Sequence, residues 1–268
     1  MKTASRIWRI TGFISAISTL LLLFGFLYAV FDIGYPAYSA GEQTSTKPTK
    51  EESTKAGTWD VTAIGDSLAK GTGDDTGAGF ARRSVDLLNK QGISSKLVNN
   101  LGINGLTTKE LLPMLKEQGV SYALKQAGII VLSIGGNDLF NGTQQLQTGT
   151  KEPSEAEIQA SITDASPNFE KIIAEIKEIN PQAKLVYVSL YNPFSDLKEM
   201  RGIGDNAVAR WNEMAQKTLN RYEGTLVVPT YDLFTYNYAR YLASDHFHPN
   251  GEGYQAIAER MVQSMAHQ

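Results

Sequence analysis

Hydrophobic and polar positions form blocks along the chain that predict strands and helices in turn. From Thr58 onward, short and nearly continuous apolar runs are separated by longer segments with helical spacing. The strand-like runs are Trp59–Gly65, Ser95–Gly102, Gly128–Gly136, Lys184–Leu190 and Thr225–Tyr231. Apolar strands that alternate with helices are typical of a parallel sheet covered on both faces. The pattern therefore predicts an α/β fold with a mostly parallel five-stranded sheet.

Two of the intervening segments show helical periodicity clearly. Apolar residues recur at i, i+3, i+4 and i+7 in both, which is the spacing of a helix with one buried face. They are Phe169, Ile172, Ile173 and Ile176 in the first segment, and Tyr254, Ile257, Ala258, Met261, Val262 and Met265 in the last. We expect these side chains to pack against the sheet.

The N-terminal segment has a different pattern. An uncharged run at 10–31, "ITGFISAISTLLLLFGFLYAVF", follows three basic residues and precedes Asp32. A spanning helix needs about 20 apolar residues, whereas the apolar region of a secretory signal has roughly 7–15. The length favours a membrane anchor, and the flanking charges place the N-terminus in the cytoplasm and the bulk of the chain outside the cell membrane. The alternative is a signal cleaved near Ala37–Ser39, which would give a secreted protein.

These features divide the chain into four parts. Residues 1–9 form a basic cytoplasmic tail, and residues 10–31 form the transmembrane anchor or uncleaved signal. Residues 32–57 are mostly polar and are expected to form a disordered tether, because such a segment buries too little apolar surface to fold. Residues 58–268 form the globular domain that carries the predicted strands and helices.

Composition and charge exclude several kinds of chemistry. The chain has no cysteine and only three histidines, so disulfides and thiolate sites are absent and imidazole chemistry depends on His246, His248 or His267. The net charge is −3; the first 38 residues carry +2, which leaves −5 for the rest. An acidic domain lacks the basic surface that nucleic-acid binding requires. Nothing in the sequence indicates a cofactor.

Three glycine-containing segments follow predicted strands. They are "GDSL" at Gly65–Leu68, "GING" at Gly102–Gly105 and "GGND" at Gly135–Asp138. The carboxyl ends of parallel strands meet at one edge of the sheet, where open α/β folds bind ligands. Ser67 is therefore a candidate nucleophile. The N–H groups of Ser67 and Gly105 and the side-chain amide of Asn137 are candidate donors for an oxyanion hole.

A serine nucleophile needs a base, and His248 is the best candidate. It precedes Pro249, which disfavours helix at His248 and predicts a loop just before the last helix. Asp245 lies three residues earlier, where its carboxylate can orient the imidazole. His246 is the alternative base, and its position beside Asp245 is more typical of an exposed loop residue.

Singly, each of these motifs is also typical of an ordinary turn or helix cap. Other motif classes fit poorly. Ala69 stands where the α/β-hydrolase elbow needs glycine, and the same alanine precedes Lys70 where a P-loop needs glycine. His246, His248 and one carboxylate within four residues cannot easily converge on one ion, so we expect no metal site.

Taken together, the motifs resemble those of the SGNH hydrolase superfamily, in its GDSL lipase/acylhydrolase group. The matching segments are "GDSLAKGTGD", "NLGINGLTT", "GGND" and "DHFHPNGEGY", in that order. The resemblance spans Thr58 to the C-terminus. It implies a flavodoxin-like three-layer α/β/α sandwich with Ser67, Asp245 and His248 as catalytic residues and Ser67, Gly105 and Asn137 as the oxyanion hole. The anchor and tether resemble those of membrane-anchored GDSL proteins of Gram-positive bacteria.

The resemblance implies a serine esterase or lipase that cleaves carboxylic esters, with an acyl lipid or lysophospholipid-like substrate. An O-acetyl-carbohydrate esterase acting on cell-wall polymers is the alternative, and a non-catalytic binding module on the same fold is an alternative of another class. Two polar loops, Asn141–Ser154 and Tyr191–Asn206, are expected to line the site. The aromatic run Thr230–Ala243 has two interpretations, core packing or a wall for an acyl chain.

Overall fold

The computed structural model describes residues 18–19, 21–23, 59–140, 154–195 and 197–266. The chain divides into two units, Met1–Glu52 and Ser53–Gln268. In the first unit, the five described residues are helical. Within the described ranges no helix is both long and apolar enough to cross a membrane. Most of the predicted anchor at 10–31 and the whole of the tether at 32–57 lie outside the described residues, so both stay predictions.

The second unit contains a parallel sheet of five strands in the order β2-β1-β3-β4-β5. The strands are β1 (Val61–Gly65), β2 (Leu97–Gly102), β3 (Ile129–Ser133), β4 (Lys184–Val188) and β5 (Thr225–Val228). Each lies within an apolar run that the sequence pattern identified. This strand order is that of the flavodoxin-like folds, in which ligands bind where the order reverses, between β1 and β3.

Helices cover both faces of the sheet. The described helices of this unit are α1 (Ser67–Lys70), α2 (Gly79–Lys90), α3 (Thr108–Met114), α4 (Gln118–Lys125), α5 (Gly136–Phe140), α6 (Glu155–Ile179), α7 (Lys198–Leu219), α8 (Tyr231–Thr235), α9 (Tyr238–Tyr241) and α10 (Gly251–Ala266). Helices α2 and α10 pack on one face, and α3, α4, α6 and α7 pack on the other. The predicted three-layer α/β/α sandwich is confirmed.

Alternate residues of the central strands point to opposite faces, as the period of two in a strand requires. On β3, Ile130 and Leu132 belong to the core under α6 and α7, while Ile129 and Val131 belong to the core under α2 and α10. Both sets are buried. This explains why β3 reads as a continuous apolar run rather than an alternating one.

The two predicted helix faces are buried as expected. All four apolar residues singled out in α6 and all six in α10 are buried. Helix α6 begins with a capping box, in which the Ser154 hydroxyl accepts from Glu157 N–H and the Glu157 carboxylate accepts from Ser154 N–H. Helix α10 begins at Gly251, and Asn250 Oδ1 accepts from the N–H groups of Glu252 and Gly253 at 3.0 Å each.

One expected loop is mostly helix. Residues 198–206 lie in α7, which buries Met200, Ala207, Val208 and Trp211. The side chain of Asn192 packs against Gly204, whose missing Cβ leaves the room, and its amide donates to Asp205 Oδ1 at 2.7 Å and to the Arg201 carbonyl at 3.1 Å. These tertiary contacts outweigh the low helix propensity of the glycines in this segment. The other expected loop, Asn141–Ser154, lies outside the described residues except for Ser154.

Candidate active site

The candidate site lies at the carboxyl ends of β1 and β3. Ser67 is the first residue of α1 and follows β1 after the single residue Asp66. Asn137 lies in the first turn of α5, which follows β3. Because β1 and β3 are hydrogen-bonded neighbours, their ends bring the two residues to the same edge. This is the point at which the strand order reverses.

A sharp turn presents Ser67 at the end of the strand. Gly65 has a φ of +132°, which only glycine adopts readily, and a Cβ there would lie 1.8 Å from the Ser133 carbonyl oxygen. Asp66 caps the helix that follows: its Oδ1 accepts from Leu68 N–H at 3.0 Å. The Ser67 side chain is thereby placed where the sheet ends.

Ser133, at the end of β3, braces this turn from the neighbouring strand. Its hydroxyl donates to Asp66 Oδ1 at 2.7 Å and accepts from Ala69 N–H at 2.9 Å. Burial raises the pKa of Asp66 to about 6, against the lowering effect of the hydrogen bonds from Ser133 and Leu68. Nothing in the sequence pattern singled out Ser133, because its role depends on a partner 67 residues away.

Ser67, His248 and Asp245 are joined by hydrogen bonds. His248 Nε2 lies 2.9 Å from Ser67 Oγ, and His248 Nδ1 lies 2.6 Å from Asp245 Oδ2. A carboxylate only accepts, so Nδ1 carries the proton and Nε2 is left to accept from the serine hydroxyl. Ser67 is 4% exposed and His248 is 8% exposed. The partially desolvated pair has the geometry of a nucleophile and its base.

Asp245 orients the imidazole and also folds the loop that carries it. Its Oδ1 accepts from the N–H groups of Phe247 at 3.0 Å and His248 at 2.9 Å. Partial burial acts to raise the pKa of Asp245, but the hydrogen bonds from the His248 ring and from these N–H groups outweigh it, so the pKa is lower than usual. The carboxylate therefore stays ionised at neutral pH, as a partner for an imidazolium must. His246 is an exposed residue of the same loop.

The proposed oxyanion donors come from three separate segments. Gly105 has a φ of +78° and is exposed, and within the described chain its N–H donates to no backbone or side-chain acceptor. Ser67 N–H is likewise unbonded within the described chain, as the first N–H of a helix is. One N–H of the Asn137 amide donates to the Leu106 carbonyl at 2.9 Å, and the second remains for a ligand.

The hydrogen bond from Asn137 to Leu106 joins two of these segments, since Leu106 directly follows Gly105. Asp138 makes a second connection between them: its carboxylate accepts from Thr108 N–H at 3.0 Å and from the Thr108 hydroxyl at 2.6 Å. The helix that carries the amide and the turn that carries the glycine N–H are therefore held together. Among the described residues, no group of three His, Asp or Glu side chains has the arrangement of a metal site.

Aromatic side chains form a row beside the imidazole. The centroid of the Phe247 ring lies 5.1 Å from that of His248 and 6.2 Å from that of Phe194. The Phe194 centroid lies 5.3 Å from that of Phe140, the last residue of α5. We call Phe247, Phe194 and Phe140 the aromatic row. Phe194 and Phe140 belong to the buried core, and so does Phe234 from the run Thr230–Ala243, whereas Tyr236 in that run is 84% exposed.

Comparisons with known proteins agree with this architecture. A profile of the GDSL-like lipase/acylhydrolase family matches residues 63–256. The chain is 37% identical over 215 residues to the uncharacterized protein YpmR of Bacillus subtilis, covering 76% of this chain and 80% of that one. It is 28% identical over 209 residues to the spore germination lipase LipC of Bacillus licheniformis, covering 76% and 95%.

A solved structure gives the same result. The lipase Lip_vut3 from a goat rumen metagenome superposes with a TM-score of 0.67 at 27% identity, over 77% of this chain and 97% of that one. The family match includes Ser67, Gly105, Asn137, Asp245 and His248. The chain therefore belongs to the GDSL-like lipase/acylhydrolase family and is a carboxylic ester hydrolase.

Proposed function

We propose that the protein cleaves carboxylic esters by a Ser67–His248–Asp245 mechanism. The observation that carries this proposal is the pair of hydrogen bonds at 2.9 Å and 2.6 Å that joins the three side chains. Ser67 Oγ attacks the ester carbonyl carbon while His248 Nε2 takes its proton. The negative charge that develops on the carbonyl oxygen is stabilised by the N–H groups of Ser67 and Gly105 and by the Asn137 amide.

The intermediate then collapses to an acyl-enzyme. The bond to the leaving oxygen breaks, and His248 returns its proton to the departing alcohol. A water molecule next attacks the acyl carbon and gives a proton to His248 Nε2. The bond between Ser67 Oγ and the acyl carbon then breaks, and His248 returns the proton to Ser67 Oγ, so one ester and one water become one acid and one alcohol.

For the substrate, we propose an acyl ester with a medium or long chain, such as an acyl lipid or lysophospholipid. Phe247 supports this, because its ring lies beside the His248 imidazole and packs against Phe194, which is buried together with Phe140 in the core. Within the aromatic row, Phe247 is the partly buried residue, so the acyl chain would contact the row there. Each buried CH₂ of an acyl chain contributes roughly 0.8 kcal/mol.

An O-acetyl-carbohydrate ester is the second candidate. It is favoured by the polar side of the site, where the Thr72 hydroxyl donates to Asn104 Oδ1 at 2.7 Å next to Gly105. The Asn104 side chain is exposed and its amide nitrogen can donate to a sugar hydroxyl.

Nitrophenyl esters from acetyl to dodecanoyl distinguish these substrates. For the acyl-lipid proposal, kcat/KM rises with chain length, and Phe247→Ala lowers it about tenfold on long chains while leaving the acetyl ester within about twofold. Tyr236→Ala is the matched control and changes neither, since its ring is solvent-exposed. A kcat/KM that falls sharply beyond acetyl supports the carbohydrate ester instead. An equal loss on all esters in Phe247→Ala contradicts a role for the ring in chain binding.

We further propose that the enzyme acts outside the cell membrane and is attached to it by residues 10–31. The uncharged run with basic residues before it supports this location. Fractionation of the full chain with a C-terminal tag tests it. Recovery with membranes and digestion of the catalytic domain by external protease are expected, whereas a shortened soluble product in the medium would indicate a cleaved signal.

A further inference from the structure

The loop that carries His248 contains the strained backbone of the site. Residues 242–250 connect α9 to α10. Within them His246 has a φ of +53°, a left-handed backbone conformation that is unfavourable for residues other than glycine. Asp245 binds the N–H groups of the two residues that follow His246. Such a loop keeps one geometry only if contacts outside it hold it there.

Tyr191 supplies one of these contacts from the sheet. It lies three residues beyond the end of β4, is buried, and donates its hydroxyl to the Phe247 carbonyl at 2.6 Å. The peptide group between Phe247 and His248 is therefore held at both ends: Tyr191 binds its carbonyl and Asp245 binds its N–H. The next peptide is held as well, because Ala243 N–H donates to the His248 carbonyl at 2.8 Å.

The phenol ring of Tyr191 is itself fixed. It stacks on Phe234 with ring centroids 3.9 Å apart and an angle of 20° between the planes, and Phe234 is fully buried. Burial raises the pKa of Tyr191 well above its usual range. The hydroxyl thus remains a donor at every pH at which an esterase is assayed.

We propose that Tyr191 is a positioning residue of the ester hydrolase site, whose hydroxyl holds the Phe247–His248 peptide so that His248 Nε2 stays within hydrogen-bond distance of Ser67. This inference rests on the proposed catalytic roles of Ser67 and His248. Its physical basis is that a misplacement of about 1 Å in a reacting group can cost about 10²-fold in rate. Tyr191 does not touch the reacting atoms; it acts through the backbone of the base.

The test is Tyr191→Phe in the full-length protein, which keeps the stacked ring and removes only the donor. We expect kcat on nitrophenyl acetate to fall about 10- to 100-fold with KM unchanged. The downfield proton resonance of His248 Nδ1–H, which reports the bond to Asp245, should broaden or move upfield. Phe234→Leu, which removes the stacking partner but keeps the hydroxyl, should change both readouts in the same direction by less.

Tyr254→Phe is the matched control. Tyr254 is also buried and donates its hydroxyl to a backbone carbonyl, that of Thr72, at 2.8 Å. The Tyr254→Phe variant should lose about as much thermal stability as Tyr191→Phe but keep kcat within about twofold of the wild type.

The inference is overturned if Tyr191→Phe keeps kcat within about twofold of the wild type, or if Tyr254→Phe loses as much kcat as Tyr191→Phe. Ser67→Ala and His248→Ala, measured alongside, separate this from the proposed function. If they are inactive while Tyr191→Phe is fully active, only the positioning role fails. If they retain activity, the catalytic proposal itself fails.

Discussion

Asp66 is a buried carboxyl group directly beside the proposed nucleophile Ser67, and its hydrogen bonds give it a structural role. Only 2% of the residue is exposed, and its Oδ1 accepts from both Leu68 N–H and the Ser133 hydroxyl. The hydrogen bonds from these two donors stabilise the ionised carboxylate. Burial opposes the charge more strongly and raises the pKa of Asp66 from 3.8 to about 6. The turn that presents Ser67 is therefore held by a charge that is costly to bury.

This cost predicts a pH dependence of stability. A carboxyl whose pKa is raised by folding stabilises the folded state below its unfolded pKa, near 4, and loses that contribution as the pH rises through about 6. Asp66→Asn keeps an acceptor oxygen without the charge. Its free energy of unfolding relative to wild type should therefore increase between pH 4 and pH 7.5, by about 2 to 3 kcal/mol. Urea unfolding at the two pH values measures it.

Asp232→Asn is the control of opposite sign. The hydrogen bond and charge of Arg260 lower the pKa of Asp232, so this carboxylate stabilises the fold at neutral pH and loses that contribution on acidification. Its variant should be less stable than wild type at pH 7.5 and closer to it in acid. A relative stability of Asp66→Asn that is the same at both pH values is incompatible with the assignment for Asp66.

At the scale of elements, Asp138 joins α5 to the start of α3. It accepts from the N–H and hydroxyl of Thr108 while lying one residue after Asn137. Burial raises the pKa of Asp138, against the hydrogen bonds from Thr108. A carboxylate at a helix N-terminus satisfies N–H groups that have no partner within the helix, and its charge interacts favourably with the helix dipole. The same contact holds the Gly105 turn against the helix that carries the Asn137 amide.

Removing this contact should affect both stability and catalysis. Asp138→Ala is expected to lower the free energy of unfolding by about 1 to 3 kcal/mol and to reduce kcat. Glu110→Ala is the comparison, because Glu110 caps the same helix from its exposed side through Thr107. It should destabilise less and leave kcat unchanged. Equal kcat in the two variants would contradict a role for Asp138 in holding the proposed oxyanion donors in place.

The elements differ in how far local sequence determines them. The strands and the faces of α6 and α10 were predictable, because burial imposes a period of two or about 3.6 on the residues themselves. The start of α7 was not predictable, since Gly202 and Gly204 argue against helix and the fit of Asn192 against Gly204 is a tertiary contact. The same distinction applies in the site. Ser67, Asn137 and His248 stand in recognisable motifs, whereas Ser133 and Tyr191 act on partners far along the chain.

At the scale of the whole molecule, the strand order explains how distant motifs meet. Ser67 and Asn137 follow neighbouring strands, and the loop before α10 brings His248 from 181 residues away to within 2.9 Å of the serine hydroxyl. The proposed nucleophile, base and oxyanion donors thus come from separate parts of one sheet edge. Ligand binding at such a point is general for open α/β sheets, so the fold explains the place of the site, and the side chains explain its chemistry.

The most direct test of the account is the reaction of Ser67 itself. The full-length protein, solubilised in a mild detergent, is assayed on nitrophenyl esters beside Ser67→Ala and then treated with a serine-reactive phosphonate. Ser84→Ala is the control, since Ser84 is another buried helical serine whose hydroxyl donates only to local and core acceptors. We expect Ser67→Ala to lose about 10⁴- to 10⁶-fold in kcat, the phosphonate to label Ser67, and Ser84→Ala to retain activity. Full activity of Ser67→Ala, or labelling at another residue, would contradict the central claim.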